Sequence, residues 1–319
     1  MSDVKKILII RLSSFGDIVL TYPFINELRR LYPDAAIDMV SKPQYTDLVK
    51  LHPFINEAIP FDMNMKYYLD SRKFDVVFDL QRNINSRRII PSGTKVIRVV
   101  KESWKKLLLV HFKVNLLKEY IPVYKKYLNA LKKFDDRADT GFTKTDLNLK
   151  PNGFVSDKYI VLSPSSKHFT KRLPESKFAL LLKDLKTKVI ITGDNNETDK
   201  EICVYFDTQF NNSLNLCGKL SFPELADVIK GAEFVVCNDS GILHLAEALG
   251  KKVFVFFGST VKEFGFFPQL DTSEVEEVTG LNCRPCTHIG RKDCPKGHFK
   301  CMNDIDVKQI RLKINEYTE

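Results

Sequence analysis

The sequence predicts an α/β protein built from two doubly wound, Rossmann-like domains, and three observations carry that prediction. Short apolar runs alternate with helical patterns, the signature of βαβ units and parallel sheets. The alternation occurs twice, with the polar, turn-rich stretch DDRADTGFTKTDLNLKPNGFVSD between the two halves. At 319 residues the chain is long enough to bury two cores.

The first half opens with KKILIIRL, in which Ile7–Leu12 is a continuous apolar strand broken only by Arg11. Ile18, Leu20, Phe24, Ile25, Leu28 and Leu31 then recur at helical spacing, and Pro33-Asp34 ends that helix. AAIDMVS, DVVFDLQ and TKVIRVV read as further strands. In the second half, KYIVLSPSS is a strand, PESKFALLLKDL a helix from about Pro174, and TKVIITGD a strand. A helix starts near Glu197, and FPELADVIKGA forms another that ends near Gly231. EFVVCND, GILHLAEALG and KVFVFFG then read as strand, helix and strand. The expected domains are residues 1–150 and 151–302, followed by a terminal helix over 303–319 that packs back toward the first domain.

The chain is 44% hydrophobic and 28% charged, as expected of a water-soluble globular protein. No uncharged apolar run approaches the roughly 18 residues that span a bilayer. Ile7–Ile10 is too short for a signal-peptide core, so the expected location is the cytoplasm, with the seven cysteines reduced. The net charge is +9, yet residues 82–133 alone hold fourteen Lys or Arg against Glu102 and Glu119, a local excess of twelve. Such a belt is either a solvated face or a surface for a polyanion: nucleic acid, anionic lipid or an acidic saccharide.

Open parallel sheets bind ligands at the carboxyl ends of their strands, beside helix N-termini. Two turns meet that description. Asp239-Ser240-Gly241 follows a buried strand, with His244 in the next helical turn. It reads either as an ordinary N-cap with a satisfied histidine or as an anion site, where Gly241 admits a ligand to the backbone and Ser240 donates to it. The opening turn, RLSSFGDIVLTYP, has a lone Gly16 and no Gly-x-Gly-x-x-Gly, which argues against a dinucleotide fingerprint. Asp17 there is either a helix cap or a general base that takes a proton from a bound hydroxyl.

Together, ILIIRLSSFGDIVLTYP, DLQRNINSR, LPES, NDSGILHLAEALGKKVFVFFGST and CRPC…CPKGHFKCM resemble the motifs of glycosyltransferase family 9, the ADP-heptose:lipopolysaccharide heptosyltransferases. The resemblance covers nearly the whole chain, and the Asp-Ser-Gly-x-x-His block is its most specific part. It implies a GT-B fold and an inverting, metal-independent transfer of heptose from ADP-heptose to a lipopolysaccharide inner-core acceptor. By position it makes Asp17 the catalytic base and puts Asp239, Ser240, Gly241 and His244 at the donor. It assigns Lys171 to the diphosphate, although Leu173 stands where an aromatic residue is usual and Lys167 is a rival. Gln81, Arg82, Asn83 and Arg87 are then candidates to line the acceptor site. Lys105, Lys106, Lys113, Lys125 and Lys126 would hold the enzyme, as a peripheral protein, on the anionic cytoplasmic face of the inner membrane.

Cys283, Cys286, Cys294 and Cys301 are spaced Cys-x2-Cys-x7-Cys-x6-Cys, with His288 and His298 nearby. They read either as a structural zinc site or as reduced thiols in a packed loop, and the resemblance does not decide between them. Catalysis as implied requires no metal. Asp304-Ile305-Asp306 stands by the terminal helix and reads as a cap. Two other functions fit the same features: transfer of a different sugar or to a protein acceptor, and, more remotely, a zinc-stabilised basic nucleic-acid-binding module. The second is disfavoured because belt and cysteines lie in different halves, so no nucleic-acid partner is expected.

Overall fold

The computed structural model describes residues 4–117, 119–149, 158–183 and 185–318. In chain order the first elements are β1 (Lys6–Ile10), α1 (Phe15–Val19), α2 (Tyr22–Leu31), β2 (Ala36–Ser41), α3 (Thr46–Lys50) and β3 (Glu57–Pro60). There follow α4 (Lys66–Ser71), β4 (Val76–Asp79), α5 (Ile84–Arg88), β5 (Lys95–Arg98), α6 (Ser103–Phe112) and α7 (Val123–Lys132). The second half holds β6 (Tyr159–Ser163), α8 (Glu175–Leu181), β7 (Lys188–Ile191), α9 (Glu197–Gln209), β8 (Ser213–Asn215) and α10 (Phe222–Gly231). It ends with β9 (Val235–Asn238), α11 (Gly241–Ala248), β10 (Val253–Phe257), β11 (Glu274–Glu277), α12 (Lys300–Asn303) and α13 (Val307–Thr318).

Two compact units result, each around its own parallel sheet. The first sheet has the order β3-β2-β1-β4-β5 and the second β11-β10-β9-β6-β7-β8. Their central strands, such as Lys6–Ile10 and Val253–Phe257, are buried along almost their whole length. That is why they read as unbroken apolar runs: helices cover both faces of a parallel sheet. The two doubly wound halves predicted from the sequence are therefore present.

The expected opening helix is two helices. Its chain breaks at Leu20-Thr21, and α2 restarts with Pro23 in its first turn, where a missing N–H costs nothing. β3, β8 and β11 were not legible, because all three lie toward the sheet margins and read as EAIP, SLN and EVEE, without a buried face on both sides.

The division between units also differs from expectation. The first unit comprises the chain to Glu102 together with Ile121–Leu149, while Ser103–Tyr120 belongs to the second. Leu109, Val110 and Leu117 carry that segment, since they pack on Phe264 of the second unit. The expected boundary at 150/151 lies outside the described residues. The terminal helix is part of the second unit's core. Val307, Ile310 and Ile314 share the second unit's core with Phe178 and Phe254, and Tyr317 lies edge-on to Phe234 and Phe254.

Candidate functional site

In each sheet the chain reverses its direction of winding at one place: between β1 and β4 in the first, and between β6 and β9 in the second. In doubly wound sheets the loops at such a point diverge, and ligands bind there at the carboxyl ends of the strands. The candidate residues lie in those loops.

In the second unit the switch point brings Lys171, after β6, to Asp239, after β9, with Nζ 2.8 Å from Oδ2. Thr260, after β10, donates its hydroxyl to the same carboxylate oxygen at 2.7 Å. Asn238, wholly buried at the end of β9, fixes the geometry: its amide donates to the Pro164 carbonyl (2.7 Å) and its oxygen accepts the Leu173 N–H (2.9 Å). The loop that bears Lys171 is thus fastened at both ends to the strand that bears Asp239. The rival Lys167 is exposed. Burial, and then the charges of Lys171, Lys167 and Arg172, push the His168 imidazole below its ordinary value, so this loop is electropositive.

Ser240 occupies the N-cap position of α11 with extended backbone, but its side chain makes no capping hydrogen bond. Its hydroxyl oxygen is buried and has no protein partner. A hydroxyl held at a helix N-terminus beside a lysine is a ready donor to an anion. Gly241 begins the helix, and His244, buried one turn on, lies 5.9 Å from the ring of Phe266. At the far end of α11, buried Glu247 accepts the N–H groups of Gln269 and Leu270 at 2.7 and 2.9 Å. Burial raises its carboxyl to about 7 despite those bonds. A cavity of about 620 Å³ elsewhere in this unit, lined by Lys113, Glu263, Glu277 and Arg284 among others, includes none of the turn residues.

In the first unit Asp17 stands at the third position of α1, not at its cap. Ser14 is the cap residue, and its hydroxyl donates to Asp17 Oδ2 at 2.8 Å. The other oxygen lies 2.7 Å from Nη2 of Arg11, the buried charge that closes β1. Arg11 also donates to the Leu80 carbonyl (2.8 Å) and stacks 5.7 Å over the Tyr127 ring. Burial works against its charge, but Asp17 more than offsets that and the net shift is upward.

The four acceptor candidates divide. Gln81 accepts the N–H groups of Leu12 and Ser13 at 3.0 and 3.3 Å, so its side chain builds the opening turn. Arg82 adopts a left-handed backbone (φ 45°), with its N–H on Asp79 at 2.6 Å and its guanidinium on the Val99 carbonyl at 3.1 Å. Asn83 caps α5 by accepting the Ser86 N–H at 2.9 Å. Arg87 alone of the four is exposed. Lys101, not anticipated, donates to the Gln81 carbonyl; burial and then Arg11 lower its pKa. Arg11 was visible as a charge interrupting an apolar run. Thr260 and Lys101 gave no such signal, because polar residues after strands are ordinary.

Among the described residues no group of three or more His, Cys, Asp or Glu side chains is gathered to hold a metal ion. Cys283, Cys286, Cys294 and Cys301 are free thiols, and Cys283 Sγ lies 3.9 Å from His298 Nε2. Burial, and then the other three cysteines among its neighbours, push the Cys301 thiol up to about 12. They are near one another without forming a four-ligand site as placed, so the geometry does not supply the tetrahedron zinc prefers. Asp306 does cap: it accepts the Lys308 N–H at 2.9 Å at the start of α13. No helix among the described residues is long and apolar enough to cross a membrane.

The sequence profile of glycosyltransferase family 9 (heptosyltransferase) matches residues 64–296. The chain is 26% identical to lipopolysaccharide heptosyltransferase 1 of Campylobacter coli, over 98% of each chain. Its fold matches the structure of Escherichia coli ADP-heptose lipopolysaccharide heptosyltransferase II with a TM-score of 0.76 at 19% identity, covering 98% of both. It also matches the dodecameric iron-containing heptosyltransferase TibC of E. coli, solved with ADP-D-β-D-heptose, with a TM-score of 0.66 at 16% identity, over 99% of this chain and 77% of that one. The likeness in fold gives the two units a GT-B architecture, and the profile match over most of the chain settles its kinship: this protein is a glycosyltransferase that belongs to family 9, the heptosyltransferases.

Proposed function

We infer that the protein transfers heptose from ADP-heptose to a lipopolysaccharide inner-core acceptor, with inversion and without a catalytic metal. The observation that carries this reading is the Lys171–Asp239 pair at the second switch point, beside the unpartnered Ser240 hydroxyl. Inverting transfer needs one base and one device for the departing charge. Asp17 takes the proton of the acceptor hydroxyl as that oxygen bonds to the anomeric carbon. The bond from that carbon to the diphosphate oxygen breaks, and ADP leaves with the electron pair. Lys171, Ser240 and the N-terminus of α11 stabilise the diphosphate in place of a metal ion. Arg11 positions Asp17, and Arg87 is the acceptor-side candidate with an exposed side chain. The acceptor's lipid anchor brings the enzyme to the cytoplasmic membrane surface, and the exposed basic residues within 82–133, such as Arg87, Lys125 and Lys133, attract anionic headgroups.

The test is a thermal-shift series with nucleotides and nucleotide sugars, followed by transfer assays. A ligand at a hundred times its Kd stabilises by about 2.7 kcal/mol. ADP and ADP-heptose should raise the melting temperature well above the effect of UDP or GDP sugars. Preference for a uridine or guanosine donor would overturn the reading. Elemental analysis under reducing conditions decides the cysteines separately: zinc near one equivalent would make them a structural site that the geometry forms only with metal present.

A further inference from the structure

Helix α6 has an apolar side in excess of what the fold uses. At 100° per residue, Leu109 and Val110 share one arc with Lys106, and that arc packs on Phe264; Lys113 follows the end of the helix. Lys106 donates to the Phe264 carbonyl at 3.2 Å and lies 5.5 Å from the rings of Phe264 and Phe266. Lys113 donates to the carbonyls of Pro285 (2.6 Å) and Cys283 (3.2 Å). Lys126 is held by Glu102 at 3.1 Å. Three of the five lysines expected to grip a membrane are therefore tied to the protein.

The opposite arc, about 140° wide, carries Trp104, Leu107, Leu108, His111 and Phe112. Trp104, Leu107 and Phe112 are 58%, 46% and 72% exposed, and Val114 just beyond the helix is 47% exposed. An ordinary surface helix does the reverse. α7 buries Tyr124, Tyr127, Leu128 and Leu131 while exposing Lys125, Lys132 and Lys133. An outward aromatic and aliphatic face set in the most basic segment of the chain is the composition of an interfacial helix.

We propose that the outward face of α6 is a lipid-docking surface, on which Trp104, Leu107 and Phe112 enter the interfacial layer of an anionic bilayer. The basic residues of the same stretch of sequence supply the long-range attraction to acidic headgroups, and the apolar side chains supply the part that salt does not screen. The proposal deepens the membrane-surface element of the function inferred above. It also changes the mode of contact, from a charged belt alone to shallow insertion of one helix.

Trp104 is the sole tryptophan of the chain, so its fluorescence reports this helix alone. The full-length protein is titrated with phosphatidylcholine vesicles, with and without phosphatidylglycerol, at low and high salt. With phosphatidylglycerol present, emission should move to shorter wavelength, and brominated acyl chains should quench it. Part of the binding should survive high salt. Leu107→Ser with Phe112→Ser should lower partitioning by about a hundredfold, since each removed side chain is worth about tenfold or more. That variant should retain ADP binding and transfer to a water-soluble acceptor fragment. Cosedimentation with vesicles but unchanged Trp104 emission would overturn the proposal in favour of charge alone. An emission shift that follows protein concentration without lipid would overturn it in favour of a second copy of the chain. Quenching by lipid in a protein that transfers no heptose to the soluble fragment would uphold the docking face while removing the proposed reaction.

Discussion

The two switch-point turns share a plan and differ in what they leave unsatisfied. In the turn after β1, the polar side chains around Asp17 are consumed locally: Ser14 and Arg11 take its two oxygens, and Gln81 takes two backbone N–H groups. In the turn after β9, Asp239 is likewise held by Lys171 and Thr260, but the Ser240 hydroxyl has no protein partner. The first arrangement suits a group that must be aimed before it reacts. The second suits a group that waits for a ligand. A carboxylate after a strand therefore means different things according to the hydrogen bonds that remain around it.

The sharpest way to break the comparison is Asp17→Asn. Loss of a general base should lower turnover by at least about a hundredfold. The substitution also strands the buried Arg11 charge, so stability should fall by up to about 3 kcal/mol. Adding Arg11→Met should restore most of that stability and none of the turnover. If the single variant kept more than about a tenth of wild-type turnover, Asp17 would be a structural partner of Arg11 only.

Next in size is Lys171→Gln. Charge-assisted hydrogen bonds are worth about 1.5–3 kcal/mol, so ADP affinity should fall by about ten- to a hundredfold. Lys167→Gln should change it little, and calorimetric titration of both variants compares them directly. Equal losses would place the diphosphate on the loop as a whole and not on the Asp239 pair.

Two buried groups, one in each unit, titrate with opposite sign. Glu247 has its folded value raised by burial from 4.5 to about 7. The folded state thus holds the extra proton, and the associated stability is present below pH 4.5 and lost as pH rises through about 7. His52 of the first unit is depressed by burial from 6.5 to about 3, so its contribution is present above pH 6.5 and lost as pH falls toward 3. Asp135 is held well below the usual carboxylate range by Arg137, whose Nε and Nη2 lie 3.0 and 2.6 Å from its oxygens; its contribution too is lost on acidification. Glu247→Gln should flatten the decline in melting temperature between about pH 5 and pH 7.5, a difference on the order of 2 kcal/mol. An unaltered pH profile would show that Glu247 is ionised in the folded protein.

The smallest effects come from the paired serines. Ser14→Ala removes a side chain that is bonded in the native turn and should cost about 0.5–2 kcal/mol. Ser240→Ala removes a hydroxyl without a partner and should leave the melting temperature nearly unchanged. The same variant should weaken ADP binding by about tenfold, the worth of one hydrogen bond to a charged group. Chemical denaturation and ADP titration of the two variants would show whether the contrast holds.

Much of this was legible in the sequence, for identifiable reasons. Central strands buried on both faces leave unbroken apolar runs, so β1, β6, β9 and β10 were visible. Asp17, Asp239 and Ser240 followed such runs at helix starts and stood out. The edge strands β3, β8 and β11 had no comparable pattern. That Gln81 and Asn83 hold backbone N–H groups was not legible, because a sequence lists polar groups without saying which ones the backbone itself requires. Thr260 and Lys101 join the sites through contacts distant in the chain, which no local pattern encodes. The core that the terminal helix joins was not legible, because its apolar stripe of Val307, Ile310 and Ile314 specifies burial and not the partner.

The excursion of Ser103–Tyr120 into the second unit has a consequence for synthesis. Leu109, Val110 and Leu117 find their partner Phe264 only after roughly 150 further residues have left the ribosome. At about 5–20 residues per second the wait is on the order of ten seconds. During that interval α6 offers apolar side chains on both its faces, within a first unit that has otherwise received all of its strands. The nascent chain therefore carries a sticky hairpin-like loop between two segments already able to fold, and holdase chaperones have a defined place to bind. A gene fusion or truncation that ends the protein anywhere before Phe264 would make that transient exposure permanent.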